Sequence, residues 1–142
     1  MIKNIVALLF LLALTACSFP DTSQDKAAEE MAVDYLTAIK QGDFNRAFAY
    51  CSDEFFGSRD KDGWIQYFAE VKSQLGEVKT IKLKRHLIDE RLTGRFFMFQ
   101  FSNKYENGYG KEMITLIMKD EADGQVKIFG HKIDSSKLSK VN

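Results

Sequence analysis

Two cysteines, two histidines and a scatter of carboxylates are the groups in this 142-residue chain best suited to nucleophilic, metal or proton chemistry. Cys51 shares an apolar helical face with Phe44, Ala47 and Phe48. A nucleophilic thiol needs a base or a cation beside it, and no histidine is adjacent in sequence, so Cys51 reads as a buried structural thiol. His86 alternates with Lys82 and Lys84 and reads as a solvent-facing strand residue. His131 is in strand phase with Phe129 and Ile133, although Gly130 between them can mark a bulge that reverses its facing. Two imidazoles so far apart make no zinc spacing. Ser58 to Gly63 has the spaced acids of a calcium loop, but the twelfth position from Ser58 is Ala69, one residue short of Glu70. Helix capping is the better reading of that segment. No GxSxG, HExxH, P-loop or CxxC occurs, which weighs against the common hydrolase, protease and nucleotide classes. No catalytic residue, metal or cofactor is assigned.

The bulk composition narrows the classes further. The chain has 20 basic and 20 acidic side chains, 45% hydrophobic residues and 28% charged residues. This is the composition of one globular domain and gives no reason to expect nucleic acid. Lys79, Lys82, Lys84 and Arg85 cluster locally. They could meet anionic headgroups, but lysines on an outer strand also deter edge-to-edge pairing, and that reading is preferred.

The N-terminus carries the strongest motif. Lys3 precedes an uncharged run from Ile5 to Ala16, too short for a spanning helix but suited to a secretory signal. Leu14-Thr15-Ala16-Cys17 resembles the lipobox of bacterial lipoproteins. The resemblance implies a signal peptide over 1–16, acylation of Cys17, a tether over 17–21 and one domain over 22–142. Each buried methylene adds about 0.8 kcal/mol of membrane affinity, so two or three acyl chains anchor stably. Ser18 rather than Asp after Cys17 favours the outer membrane, facing the periplasm, if the source is Gram-negative.

The elements that must position any site are helices first, strands after. Thr22 and Asp25 resemble a capping box. Ala28, Met31, Ala32, Tyr35, Leu36 and Ile39 then form one apolar face, and Gly42 stops that helix. Asp43 opens a shorter helix, and Asp60 or Asp62 opens a third, with Trp64, Phe68, Val71 and Leu75 on one face and Gly76 at its end. After Gly76 the period becomes two. Four strands are predicted: one through Ile81, Leu83 and Leu87, one from Arg95 to Tyr105, one through Met113 to Met118, and one from Gln125 to Ile133. Asn107-Gly108 and Asp123-Gly124 are the turns. The fold class is α+β, with N-terminal helices on a curved four-stranded antiparallel sheet whose second and third strands are central.

This arrangement resembles the cystatin-like cone of the nuclear transport factor 2-like superfamily. Gly42-Asp43-Phe44 with Ala47, Tyr50, Trp64 and Leu75-Gly76 resembles one bacterial envelope family within it. So do Tyr105, Glu112, Thr115 and Leu116, and the closing Gly124, Lys127-Ile128, Gly130 and Ile133. The resemblance implies a cone with Tyr35, Trp64 and His131 as candidate pocket lining. It leaves three functions open. The preferred one is a non-enzymatic, membrane-anchored envelope module for a partner protein or a small apolar ligand. Another is an enzyme transferring a proton on a hydrophobic substrate, which needs His131, or a carboxylate such as Asp34 or Glu112, to point inward. A third is a structural homodimer. Twelve Phe residues, four of them between positions 96 and 101, exceed what one sheet face needs, so a sheet-to-sheet dimer contact is also expected.

Overall fold

In the computed structural model, which describes residues 22–119 and 124–138, helices occupy one face of a single antiparallel sheet. The signal peptide and tether read at 1–21, and Asp123 of the last turn, lie outside the described residues. Helix α1 (Thr22–Gln41) buries Ala28, Ala32, Tyr35, Leu36 and Ala38, the face its apolar spacing marks out. Asp25 lies in its first turn, and its carboxylate accepts from Arg95 of the sheet at 3.2 Å. Gly42, at φ +73°, turns the chain into α2 (Phe44–Ala49), capped by the Asp43 carboxylate. A 3-10 helix at Asp53–Gly57, absent from the sequence reading, then buries Phe55. Helix α3 (Lys61–Leu75) is capped by Asp60, which accepts from Gly63 N at 2.8 Å. Asp60 therefore serves the helix, and the segment has the capping geometry read from its sequence.

The sheet has five strands rather than four. The first predicted strand divides at Ile81-Lys82 into β1 (Val78–Thr80) and β2 (Leu83–Arg91), and both halves pair with β3 (Gly94–Tyr105). Beyond β3 lie β4 (Gly108–Met118) and β5 (Val126–Asp134). Strands β3 and β4 are central, as their apolar faces require, and Lys79, Lys84 and Arg85 fall on the outer strands β1 and β2. The β3–β4 turn sits one residue earlier than Asn107-Gly108. Gly108 already pairs with Tyr105, and the turn is Glu106-Asn107. Glu106 holds it by accepting from Glu77 N at 3.0 Å and from Lys79 Nζ at 2.7 Å.

The core lies between the helices and the inner sheet face. Phe97, Phe99 and Phe101 of β3 pair with Leu116, Ile114 and Glu112 of β4. All but the last are apolar. Trp64 stacks on Phe55 at 4.5 Å and on Phe68 at 5.5 Å, and its indole donates to Phe55 O at 3.3 Å. Cys51 follows α2, with its backbone bridged to Ile128. Burial pushes its thiol up to about 12, which keeps it protonated and unreactive at neutral pH. On the outer sheet face Leu87 and Phe129 remain partly open, with Phe129 against Phe96 at 5.7 Å.

Candidate functional site

One residue of the inner β3 row breaks the apolar pattern. Asn103 follows Phe97, Phe99 and Phe101 in the same phase and is 1% exposed. It pairs with Gly110 in β4, and Glu112, two residues on, therefore sits diagonally across from it on the same face. His131 reaches that face from β5. The β4–β5 register shifts by one residue beside Thr115, so that Thr115 pairs with Gly130 and Leu116 with Ile128. This bulge turns Phe129 outward while Ile128 and His131 both face in. The bulge read near Gly130 is present, but Phe129 is its unpaired residue and the one it reverses, while His131 keeps the inner face with Ile133.

These residues meet around one carboxylate. Asn103 Nδ2 donates to Glu112 Oε1 at 2.6 Å, and the Tyr105 hydroxyl donates to the same oxygen. His131 Nε2 lies 2.8 Å from Glu112 Oε2, and the Tyr35 hydroxyl lies 3.0 Å from His131 Nδ1. A carboxylate only accepts, so Nε2 carries a hydrogen; in the neutral imidazole the Tyr35 hydroxyl then donates to Nδ1. Gly110 makes room for this geometry, because a side chain there would press on the Tyr105 ring at 2.9 Å.

The electrostatics follow from burial and donors. Burial raises the proton affinity of the Glu112 carboxyl, but the hydrogen bond from His131 and the positive charge that ring carries when protonated, with the donors of Tyr105 and Asn103, outweigh it and hold the group below the usual carboxylate range. The phenols of Tyr35 and Tyr105 are both raised, first by burial and then by negative neighbours. Both stay protonated donors.

Above the network an apolar cleft of about 240 Å³ opens between the C-terminal ends of α1 and α3. Its walls include Leu36, Ile39, Phe44, Val71 and Ile133, and Asn103, Tyr105 and Glu112 are its polar lining from the sheet. The three residues singled out from the sequence sit deeper. Tyr35 and Trp64 are packed inside the aromatic core and His131 lies beneath Phe68, at 5.3 Å between ring centres. None of the three is among the residues lining this cleft. Tyr35 and His131 act on it through Glu112; Trp64 supports Phe68, which lines it. Asp34 is exposed on α1, and His86 is exposed on β2. Glu112 is the inward carboxylate. Asn103 and Tyr105 are the residues that sequence reasoning did not assign to the site, and a polar side chain in phase with three phenylalanines was the available signal.

No protein-family model matches the sequence, and neither does any curated protein. Solved structures do resemble the fold. Bd1075 of Bdellovibrio bacteriovorus superposes with a TM-score of 0.53 at 13% identity, over 82% of this chain but 41% of its own length. A candidate ketosteroid isomerase from Shewanella frigidimarina gives 0.53 at 17% identity, over 78% of this chain and 97% of that one. A nuclear transport factor 2-like protein from Cytophaga hutchinsonii gives 0.53 at 13%, over 79% and 98%. The chain therefore spans less than half of the first of these proteins and matches nearly all of the other two. At such identities the likeness is one of fold: the domain has the same arrangement of helices on a curved antiparallel sheet as these structures.

Proposed function

We propose that the chain is an envelope lipoprotein, anchored by acyl chains on Cys17, whose cone binds a small, largely apolar ligand without transforming it. The ligand half rests on one observation: an apolar cleft at whose floor the Tyr105 hydroxyl and the Asn103 amide already donate to Glu112. General base catalysis at neutral pH is best served by a group whose pKa lies near that pH. Glu112 is held the other way and accepts from Asn103, Tyr105 and His131 at once. An oxyanion site needs donors aimed at an empty position, whereas the Tyr105 hydroxyl and one Asn103 N–H are spent on Glu112. These features favour holding a ligand over moving its protons.

The anchor half rests on Leu14-Thr15-Ala16-Cys17 after its apolar run, with Ser18 favouring the outer membrane. A single purification from membranes tests both halves. The wild-type chain is expected to incorporate radiolabelled fatty acid and to retain a small molecule detectable by mass spectrometry. Cys17→Ser should lose the label, and Ile81→Trp, which fills the cleft from its wall, should lose the molecule. Undiminished label in Cys17→Ser contradicts the anchor; the same small molecules in both cleft forms contradict the binding site.

A second reading, association of two copies, is favoured by the outer sheet face, where Leu87 is 56% exposed and Phe129 is 37% exposed. Light scattering on the purified chain would then give twice the monomer mass, and a monomer at micromolar concentration would remove it.

A further inference from the structure

We infer that the cleft ligand is an apolar molecule that presents one neutral hydrogen-bond donor, a hydroxyl or an amide N–H, to Asn103. This deepens the proposed binding function and rests on it. The side-chain oxygen of Asn103 is buried and has no hydrogen-bond partner among the described residues. Its orientation is not free. Turning the amide over would set that oxygen against Glu112 Oε1, where Nδ2 now donates at 2.6 Å. Glu112 therefore fixes Asn103 with its acceptor left over, in a residue that lines the cleft.

The donors of Tyr105 and His131 beside it are used. The Tyr105 hydroxyl donates to Glu112, and His131 Nε2 approaches the other carboxylate oxygen at 2.8 Å. Lys40, Gln41 and Lys72 also border the cleft, from the helices, and Lys72 is paired with Glu77 at 2.7 Å; at the sheet floor a ketone, ether or carboxylate would bring an acceptor against the open Asn103 oxygen and the Glu112 charge. A donor meets the opposite situation, because it satisfies a buried group that otherwise lacks its bond. An ammonium carries three donors to this one open acceptor and a charge into apolar walls, which is costly. The remaining walls, among them Leu36, Ile39 and Ile133, match a hydrocarbon body. A cleft of about 240 Å³ is small beside most ligand sites, which suits a body of one or two rings.

The experiment compares 2-naphthol with 2-methoxynaphthalene, which keep the same rings and the same oxygen and differ in the donor. The full chain is held in phosphatidylcholine nanodiscs, with free probe corrected against empty discs. Binding is read from the methyl resonances of Ile39, Ile81 and Ile133, all of which line the cleft. The naphthol is expected to bind about tenfold more tightly than its ether, the effect of one hydrogen bond in a buried site. Asn103→Ala should reduce that preference to less than about threefold, the remainder that a single lost hydrogen bond leaves. If that variant does not fold, the pair of affinities in the wild type decides alone. An ether that binds as well as the naphthol overturns the donor inference and leaves the binding site standing. Failure of both probes to shift the three isoleucines overturns the binding site itself, and the inference with it.

Discussion

Replacing Glu112 by leucine is expected to destabilise the domain by about 3–5 kcal/mol, the usual consequence of removing one partner of a buried, hydrogen-bonded pair. The loss is large because three groups depend on that carboxylate. Asn103, Tyr105 and His131 would each keep a buried donor with nothing to receive it. Urea denaturation followed by far-UV circular dichroism measures the change, and a loss under 1 kcal/mol would mean that the network contributes little. Acid titration supplies a separate readout. The folded-state pKa of Glu112 is depressed, so its stabilisation is complete above the unfolded-state value near 4.3 and is lost as pH falls through the folded-state value. Glu112→Gln lacks this dependence. The stability gap between wild type and Glu112→Gln should therefore close below about pH 4, and a gap that stays constant down to pH 3 would refute the assigned charge state.

Trp64→Ala is expected to cost a similar amount, about 3–5 kcal/mol, for a different reason. Trp64 is the centre of an aromatic stack, between Phe55 and Phe68 with Tyr67 edge-on at 5.7 Å. Its removal leaves a cavity bounded by rings that cannot close on one another. It also strands the Phe55 carbonyl that the indole N–H satisfies. Trp64→Phe keeps most of the stack and loses the hydrogen bond, so it should cost only about 1–2 kcal/mol. Because Phe68 carries the stack to His131 at 5.3 Å, the alanine form should also weaken probe binding in the cleft. Equal stabilities for the two variants would show that the stack contributes no more than the hydrogen bond.

Much of the frame was legible in the chain because periodicity reports which side of an element is buried. The spacing Ala28, Ala32, Tyr35, Leu36 gave the buried face of α1, and Gly42 and Gly76 gave its end and that of α3. The alternation at Phe97, Phe99 and Phe101 gave the inner row of β3. Periodicity does not report register. Whether Asn103 sits near Glu112 depends on the turn at Glu106-Asn107, and reading the turn one residue late moves every pairing along the two strands. Tyr35 and His131 are separated by almost the whole domain in sequence, so only the packing of α1 on the sheet brings them together. The break at Ile81-Lys82 was hidden because Ile81, Lys82, Leu83 and Lys84 alternate without interruption in the sequence, while the segments on either side pair with β3 at different offsets and a further shift after Leu83 turns Leu87 outward and Ile88 in.

The bulge in β5 has a consequence for how such a site can be gained or lost. Its imidazole shares the inner face with Ile128 although the two stand three positions apart, because the bulge takes up Phe129. In a regular strand that spacing would set the two side chains on opposite sides of the sheet. A related chain that lacked only Phe129 would return to plain alternation and keep the ring beside the glutamate. A chain of the same length whose strand ran without the bulge would carry it to the outer face. The letters of the network are therefore no guide to whether it assembles; the count of residues and the register have to be read together.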